Sequence, residues 1–205
     1  MMRPERKVVL VAGTAEDPRV RGFCHGLARN GYALAFLNFG DREAADALLA
    51  EIATGEGDAT LWDTDPPSSE AISAAVVGTA ETMGGIDRVV YCGAGPNPDM
   101  QGKLLLDLDE EDWDGAMARG SKAFFLLCKY ALPYLISRPG ADILLLDPMP
   151  AACETCSLSE YVASAAMEAA VRHLATELAQ YGIAATHIRT QEIADWDREA
   201  HKGGA

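Results

Sequence analysis

Six short apolar runs, most of them followed by a segment of helical pattern, leave this chain few folds to choose from. A parallel strand buried on both faces reads as a near-continuous run of branched aliphatic residues. Residues 7–13 (Lys-Val-Val-Leu-Val-Ala-Gly) read that way, and residues 32–39, 59–62, 86–91, 143–146 and 184–188 supply five more runs. Helical segments fall between them: 19–30 closed by Gly31, 41–54, 69–83 after the turn Asp65-Pro66-Pro67-Ser68, 110–136, and 158–181. The 110–136 segment carries Gly115 and Gly120 as weak points inside it. Alternation of this kind implies an α/β fold: a Rossmann-type doubly wound parallel sheet of six or so strands with right-handed crossovers. With no internal repeat, low-complexity tract or evident linker, residues 1–205 read as one domain, and 190–205 as its polar tail.

Composition removes several classes of function. Asp and Glu number 31 against 17 Lys and Arg, a net charge of -14. Binding a nucleic-acid backbone or an anionic membrane surface requires a basic face, which argues against both partners. The longest apolar candidate for a membrane span, 123–136, is interrupted by Lys129 and Pro133. Residues 1–7 lead into the first strand without a signal-peptide cleavage pattern. Five irregularly spaced cysteines suit a reducing compartment better than a disulfide framework. A cytoplasmic location is expected.

In open α/β sheets, ligands bind outside the carboxyl ends of the strands. The stretch that matters most is therefore 141–182, an apolar strand, a Pro-broken loop and a long helix led by Tyr161. With Gly13 after the first strand and Cys92-Gly93-Ala94-Gly95 after the fourth, the chain resembles the short-chain dehydrogenase/reductase family from about residue 6 to 190. Asp63 stands where the family has an acid near the adenine, Glu111-Asp112-Trp113-Asp114 opens the long helix, and Ala131-Leu132-Pro133 closes it. The resemblance implies a nicotinamide dinucleotide fold.

The positions that carry function depart from the family's pattern. The glycine-rich turn reads Gly13-Thr14-Ala15-Glu16-Asp17-Pro18-Arg19-Val20-Arg21-Gly22, so that Gly13 survives while the later glycines fall near Asp17, Pro18 and Val20. Such turns let backbone N–H groups approach a pyrophosphate, and Pro18 has none to offer. One carboxylate about 5 Å from a phosphate charge, at an effective dielectric near 20, costs on the order of 3 kcal/mol. Glu16 and Asp17 would add two such terms unless Arg19 and Arg21 turn inward. No cofactor is expected in this chain.

The resemblance implies a catalytic Tyr, a Lys four residues on, a Ser before them and an Asn on the preceding helix. Here Tyr161 is retained, Ala165 takes the Lys position, Pro148 the Ser position and Gly120 the Asn position. An unassisted tyrosine with a pKa near 10 is ionised in about one molecule per thousand at neutral pH. Asp147 would raise that pKa further. Tyr161 is therefore expected to be a packing residue on its helix. After the sixth strand the family continues with a turn against the nicotinamide, a lid and a seventh strand. Thr190-Gln191 takes that turn's place and the sequence given runs to Ala205, so a C-terminally shortened sheet lacking the lid is expected.

Three functional readings follow. The first is a catalytically silent subunit that pairs with a homologous active NAD-dependent dehydrogenase subunit through helices near 110–136 and 158–181. Small residues (Ala163, Ser164, Ala165, Ala166, Ala169 and Ala170) and the run Phe124-Phe125-Leu126-Leu127 would form the shared surface. The second is an atypical oxidoreductase that uses Tyr161 with Asp147 or Glu160. The third is a ligand-binding regulator with a vestigial nucleotide pocket. Cys153-Glu154-Thr155-Cys156 has the spacing of a redox or zinc pair. Glu154 opposes thiolate formation and no second ligand pair matches. No metal is expected, and His25, His173 and His187 read as ordinary, partly buried histidines.

Overall fold

The computed structural model describes residues 6–55, 57–64, 67–93, 97–147 and 156–189. Strands β1 (Val8–Gly13), β2 (Ala33–Asn38), β3 (Asp58–Asp63), β4 (Arg88–Tyr91), β5 (Asp142–Asp147) and β6 (Ala184–Arg189) form one sheet in the order β3-β2-β1-β4-β5-β6. Every neighbouring pair is parallel. The connecting helices are α1 (Pro18–Arg29), α2 (Arg42–Thr54), α3 (Ser69–Met83), α4 (Glu110–Met117), α5 (Ala123–Leu135) and α6 (Leu158–Glu177). This is the expected doubly wound architecture.

All residues of β1 and β2 are buried, which is why their sequences show unbroken apolar runs and no alternation. Side chains still alternate between the faces. Val9, Val11, Phe36, Val90 and Leu144 meet Phe23, Leu27 and Leu48 of α1 and α2. On the other face, Leu10, Leu37, Val89, Tyr91 and Leu145 meet Ile72, Phe124, Leu127 and Met167 of α3, α5 and α6. Helix starts are capped by Asp17, Asp41, Ser68, Asp109 and Ser157, whose short side chains accept otherwise unpaired N–H groups. Gly84 closes α3 at φ 85°, a conformation that favours glycine.

The long segment 110–136 departs from the single helix expected. A π-type turn at Ala118–Lys122 separates α4 from α5, at one of the two glycines that mark weak points. The buried Tyr91 hydroxyl donates to the Arg119 carbonyl and lies 3.3 Å from the Gly120 carbonyl, taking up acceptors at the wide turn. The expected apolar surface also needs correction. Phe124, Leu126 and Leu127 are core residues, and only Phe125 is exposed, at 56%, with the Lys129 ammonium 5.7 Å from its ring centre. Of the small residues on α6, Ala163 is buried and Ala170 packs against the core, while Ala165 and Ala169 face outward. Among the described residues, no helix is long and apolar enough to cross a membrane.

Candidate functional site

The strand order reverses between β1 and β4, and the crevice at the carboxyl ends of those strands is where a doubly wound sheet places a ligand. Gly13, at the end of β1, is forced by packing: a Cβ there would come 2.9 Å from Cys92 Cβ. The next residues turn directly into α1. Asp17 accepts from the Arg19 backbone N–H at 2.8 Å, and the Arg19 side chain grips the same carboxylate at 2.6 and 2.9 Å. Burial works to raise the Asp17 pKa, but the side-chain and backbone hydrogen bonds from Arg19 outweigh it and hold the carboxyl below its ordinary value.

This arrangement revises two expectations. Asp17 is not a bare charge aimed into the crevice, because Arg19 neutralises it. Pro18 occupies the first helical position, where its missing N–H costs the helix nothing. Arg21 points away from the crevice, donating to the Ala44 carbonyl at 3.2 Å and to Glu51 at 2.6 Å.

Glu16 crosses to the neighbouring loop. Its Oε1 accepts the Asp41 backbone N–H at 2.8 Å, and its carboxylate lies 2.7–2.8 Å from where a Cβ on Gly40 would stand. In a doubly wound fold, the loop after β2 is where a dinucleotide's ribose is read. Asp63, at the end of β3, accepts from Asn38 Nδ2 at 3.1 Å and lies 3.5 Å from Arg42 Nη1. Asn38 is fully buried and also donates to the Gly40 carbonyl at 2.8 Å, so it ties the β2 and β3 ends together. A dinucleotide fits these residues poorly: Asp17 already takes an N–H at the start of α1, and Glu16 fills the ribose side.

The expected catalytic positions are only partly brought together. Tyr161, on α6, is 50% exposed, so it is not the packing residue expected. Ala165, one turn on, shares that exposed face. Gly120 lies against α6, and a Cβ there would come 2.9 Å from Ala163 Cβ, so the family's asparagine has no room. Pro148, and the Cys153 to Thr155 part of the cysteine pair, lie outside the described residues. Glu160 is committed elsewhere: it accepts from the backbone N–H groups of Ser157, at 3.1 Å, and Asn97, at 2.8 Å.

A polar cluster that the sequence did not reveal lies behind α6. Asp147, only 3% exposed at the end of β5, accepts from the Ser164 hydroxyl, and His187 Nε2 lies 3.7 Å from the same carboxylate. Glu168 nearby accepts from Arg172 at 2.6 Å and Arg189 at 3.1 Å. The Arg189 hydrogen bond, with the charges of His187, Arg189 and Arg172, outweighs desolvation and lowers the Glu168 pKa. These residues come from β5, α6 and β6, with partners 17 and 21 positions apart in the hydrogen bonds of Asp147 and Arg189, so no local pattern announces them. The histidines differ among themselves: His187 is partly buried, His25 pairs with Glu51 at 3.0 Å, and His173 is exposed. Among the described residues, no group of three or more His, Cys, Asp or Glu is placed to hold a metal ion.

Comparison with known proteins gives the lineage. Residues 21–195 match the family model described as Enoyl-(Acyl carrier protein) reductase. A short-chain type dehydrogenase/reductase of Bradyrhizobium diazoefficiens is 32% identical over 123 residues, covering 59% of this chain and 42% of that relative. The 3-oxoacyl-(acyl-carrier-protein) reductase of Staphylococcus aureus is 26% identical over 178 residues, covering 86% of this chain and 70% of that enzyme. The chain thus spans less than half of the first relative's length. A crystal structure of a dehydrogenase/reductase from Sinorhizobium meliloti shares the fold with a TM-score of 0.77 at 24% identity, covering 89% of this chain and 71% of the other. On its sheet order, its crevice and the span of the family match, the chain belongs to the short-chain dehydrogenase/reductase family.

Proposed function

We propose that this chain is a catalytically silent subunit that pairs with a homologous, active NAD-dependent dehydrogenase subunit. The observation that carries this reading is the state of the proton-handling positions. Tyr161 stands on an exposed helix face with Ala165 one turn on, and Ala163 closes the space at Gly120. A tyrosine acting as acid or base depends on a positioned partner, and Ala165 supplies no cation at the position one turn on. Glu16 and Asp17 support the same conclusion for the nucleotide, since each carboxylate takes up a backbone N–H at the crevice. The NAD belongs to the partner, and a hydroxyacyl-CoA is the substrate class we assign to the pair.

The pairing surface comprises the outer faces of α4, α5 and α6, where Phe125, Leu158 and Tyr161 are exposed. The pattern of losses resembles the non-catalytic subunit of the hydroxybenzylsuccinyl-CoA dehydrogenase of anaerobic toluene degradation, in which an inert and an active subunit form a heterotetramer. A cytoplasmic, single-domain subunit accords with this reading. The alternative of an oxidoreductase built on Tyr161 with Asp147 or Glu160 is weakened because Asp147 accepts from Ser164 behind α6 and Glu160 is spent on capping α6 and tethering Asn97. Purification at native levels, followed by identification of the subunits, tests the proposal. Co-purification with a homologue carrying Tyr-x-x-x-Lys is expected; a stable lone monomer contradicts it.

A further inference from the structure

Leu104, Leu105 and Leu106 are 70%, 70% and 96% exposed on the tight turn that leads into α4. Trp113, one turn into α4, is also exposed. Three consecutive leucines held in water on an ordered turn are an unusual use of apolar residues. Their surroundings are one-signed. Asp99, Asp107, Asp109, Glu110, Glu111 and Asp114 are all exposed in the same segment. Its one cation, Lys103, is 2.7 Å from Asp112 in an ion pair, and Asp99 and Asp109 lie close enough to act on it electrostatically. The turn is built to hold its shape: Asp107 accepts the Leu104 N–H at 3.4 Å, and Asp109 caps α4 through the Asp112 N–H at 2.8 Å.

We infer that this leucine knuckle docks into an apolar socket rimmed by Lys and Arg on a partner protein, and that its acidic rim selects against a second copy of this chain. A two-fold pair of identical chains brings the same patch of each together, and here that would oppose two sets of carboxylates. An anionic bilayer is repelled by the same charges. A neutral bilayer would have to strip water from the acids at its headgroups to admit the leucines. A protein socket with a basic rim is complementary on both counts, burying the leucines and pairing the carboxylates. The inference rests on the pairing proposed above for the partner's identity as a homologous subunit, and it deepens that reading by explaining why the pair would be unlike rather than like.

The test uses the full chain and two labelled helical peptides of defined composition, one of Leu and Lys and one of Leu and Glu. Fluorescence anisotropy is measured at about 50 mM and about 500 mM NaCl, to vary the screening. Binding of the Leu/Lys peptide is expected to weaken about tenfold in the Leu105→Ser/Leu106→Ser variant and to weaken again at the higher salt, with no binding of the Leu/Glu peptide. Both positions are exposed, so the variant keeps the wild-type circular dichroism and melting temperature. Equal binding by the variant would mean that charge alone attracts the peptide, and would overturn the inference. Self-association in sedimentation velocity at low salt that the variant abolishes would assign the knuckle to a second copy. Flotation with phosphatidylcholine vesicles that the variant abolishes would assign it to a membrane. Co-purification of a homologous subunit that persists in the variant would leave the proposed pairing intact while removing the knuckle from it.

Discussion

A glycine facing an alanine is the residue-scale reason a larger side chain does not fit at position 120. A Cβ at Gly120 would lie 2.9 Å from Ala163 Cβ, closer than two carbons can approach without displacement. Gly120→Asn is therefore expected to destabilise the fold by about 1–3 kcal/mol through overpacking. Adding Ala163→Gly should recover part of that loss, and urea denaturation of the single and double variants measures both. At the start of α1, the folded pKa of Asp17 lies below its ordinary value of 3.8. A carboxyl lowered on folding contributes stability that is complete above its unfolded pKa and is lost as pH falls through the folded one. Asp17→Asn keeps a capping oxygen and removes that titration. Its stability should fall less steeply than wild type as pH drops below 3.8, with an unchanged profile between about pH 5 and 8. Chemical denaturation across that range reads the difference.

At the scale of elements, the break between α4 and α5 is held by a hydroxyl from the sheet. Tyr91 is fully buried, and its hydroxyl donates into the wide turn at Arg119 and Gly120. Tyr91→Phe keeps the ring in the core, including its edge contact with Phe124 at 5.5 Å, and deletes only the donor. A loss of about 0.5–1.5 kcal/mol is expected, with faster amide exchange confined to Ala118–Lys122 and unchanged protection in the strands. Exchange followed by mass spectrometry checks it, and uniform acceleration would mean the hydroxyl serves the whole core instead. The sequence exposed the weakness of this segment through Gly120 but not its cause, because a break in a helix is stabilised by an atom that lies far away in the chain. Asn38 is a similar case. Its side chain joins two loops through the Gly40 carbonyl and Asp63, and nothing in the run around it distinguishes this asparagine from one in an ordinary turn. The inner strands, by contrast, were legible because burial on both faces writes itself into runs such as those of β1 and β2, whereas the edge strands β3 and β6 are partly exposed. Tyr161 was misjudged for a different reason: the loss of its catalytic partners suggested a packing role, and only its exposure on α6 shows that its face is open.

The whole molecule combines a six-stranded parallel sheet with a crevice in which Asp17 and Glu16 each accept a backbone N–H. Arg19 and Asp17 close the start of α1, and Glu16 bridges from that loop to the Asp41 N–H at the start of α2. At the starts of α1 and α2 a carboxylate of the chain thus already accepts a backbone N–H, and an anionic ligand approaching there would meet like charge. The net charge of -14 adds a long-range penalty of the same sign. Isothermal titration of the isolated chain with NAD and NADP tests this most directly. No heat of binding is expected at concentrations up to about a millimolar, where even a weak complex of about -4 kcal/mol would register. Saturable binding in the micromolar range, lost on substitution at Gly13, would contradict it.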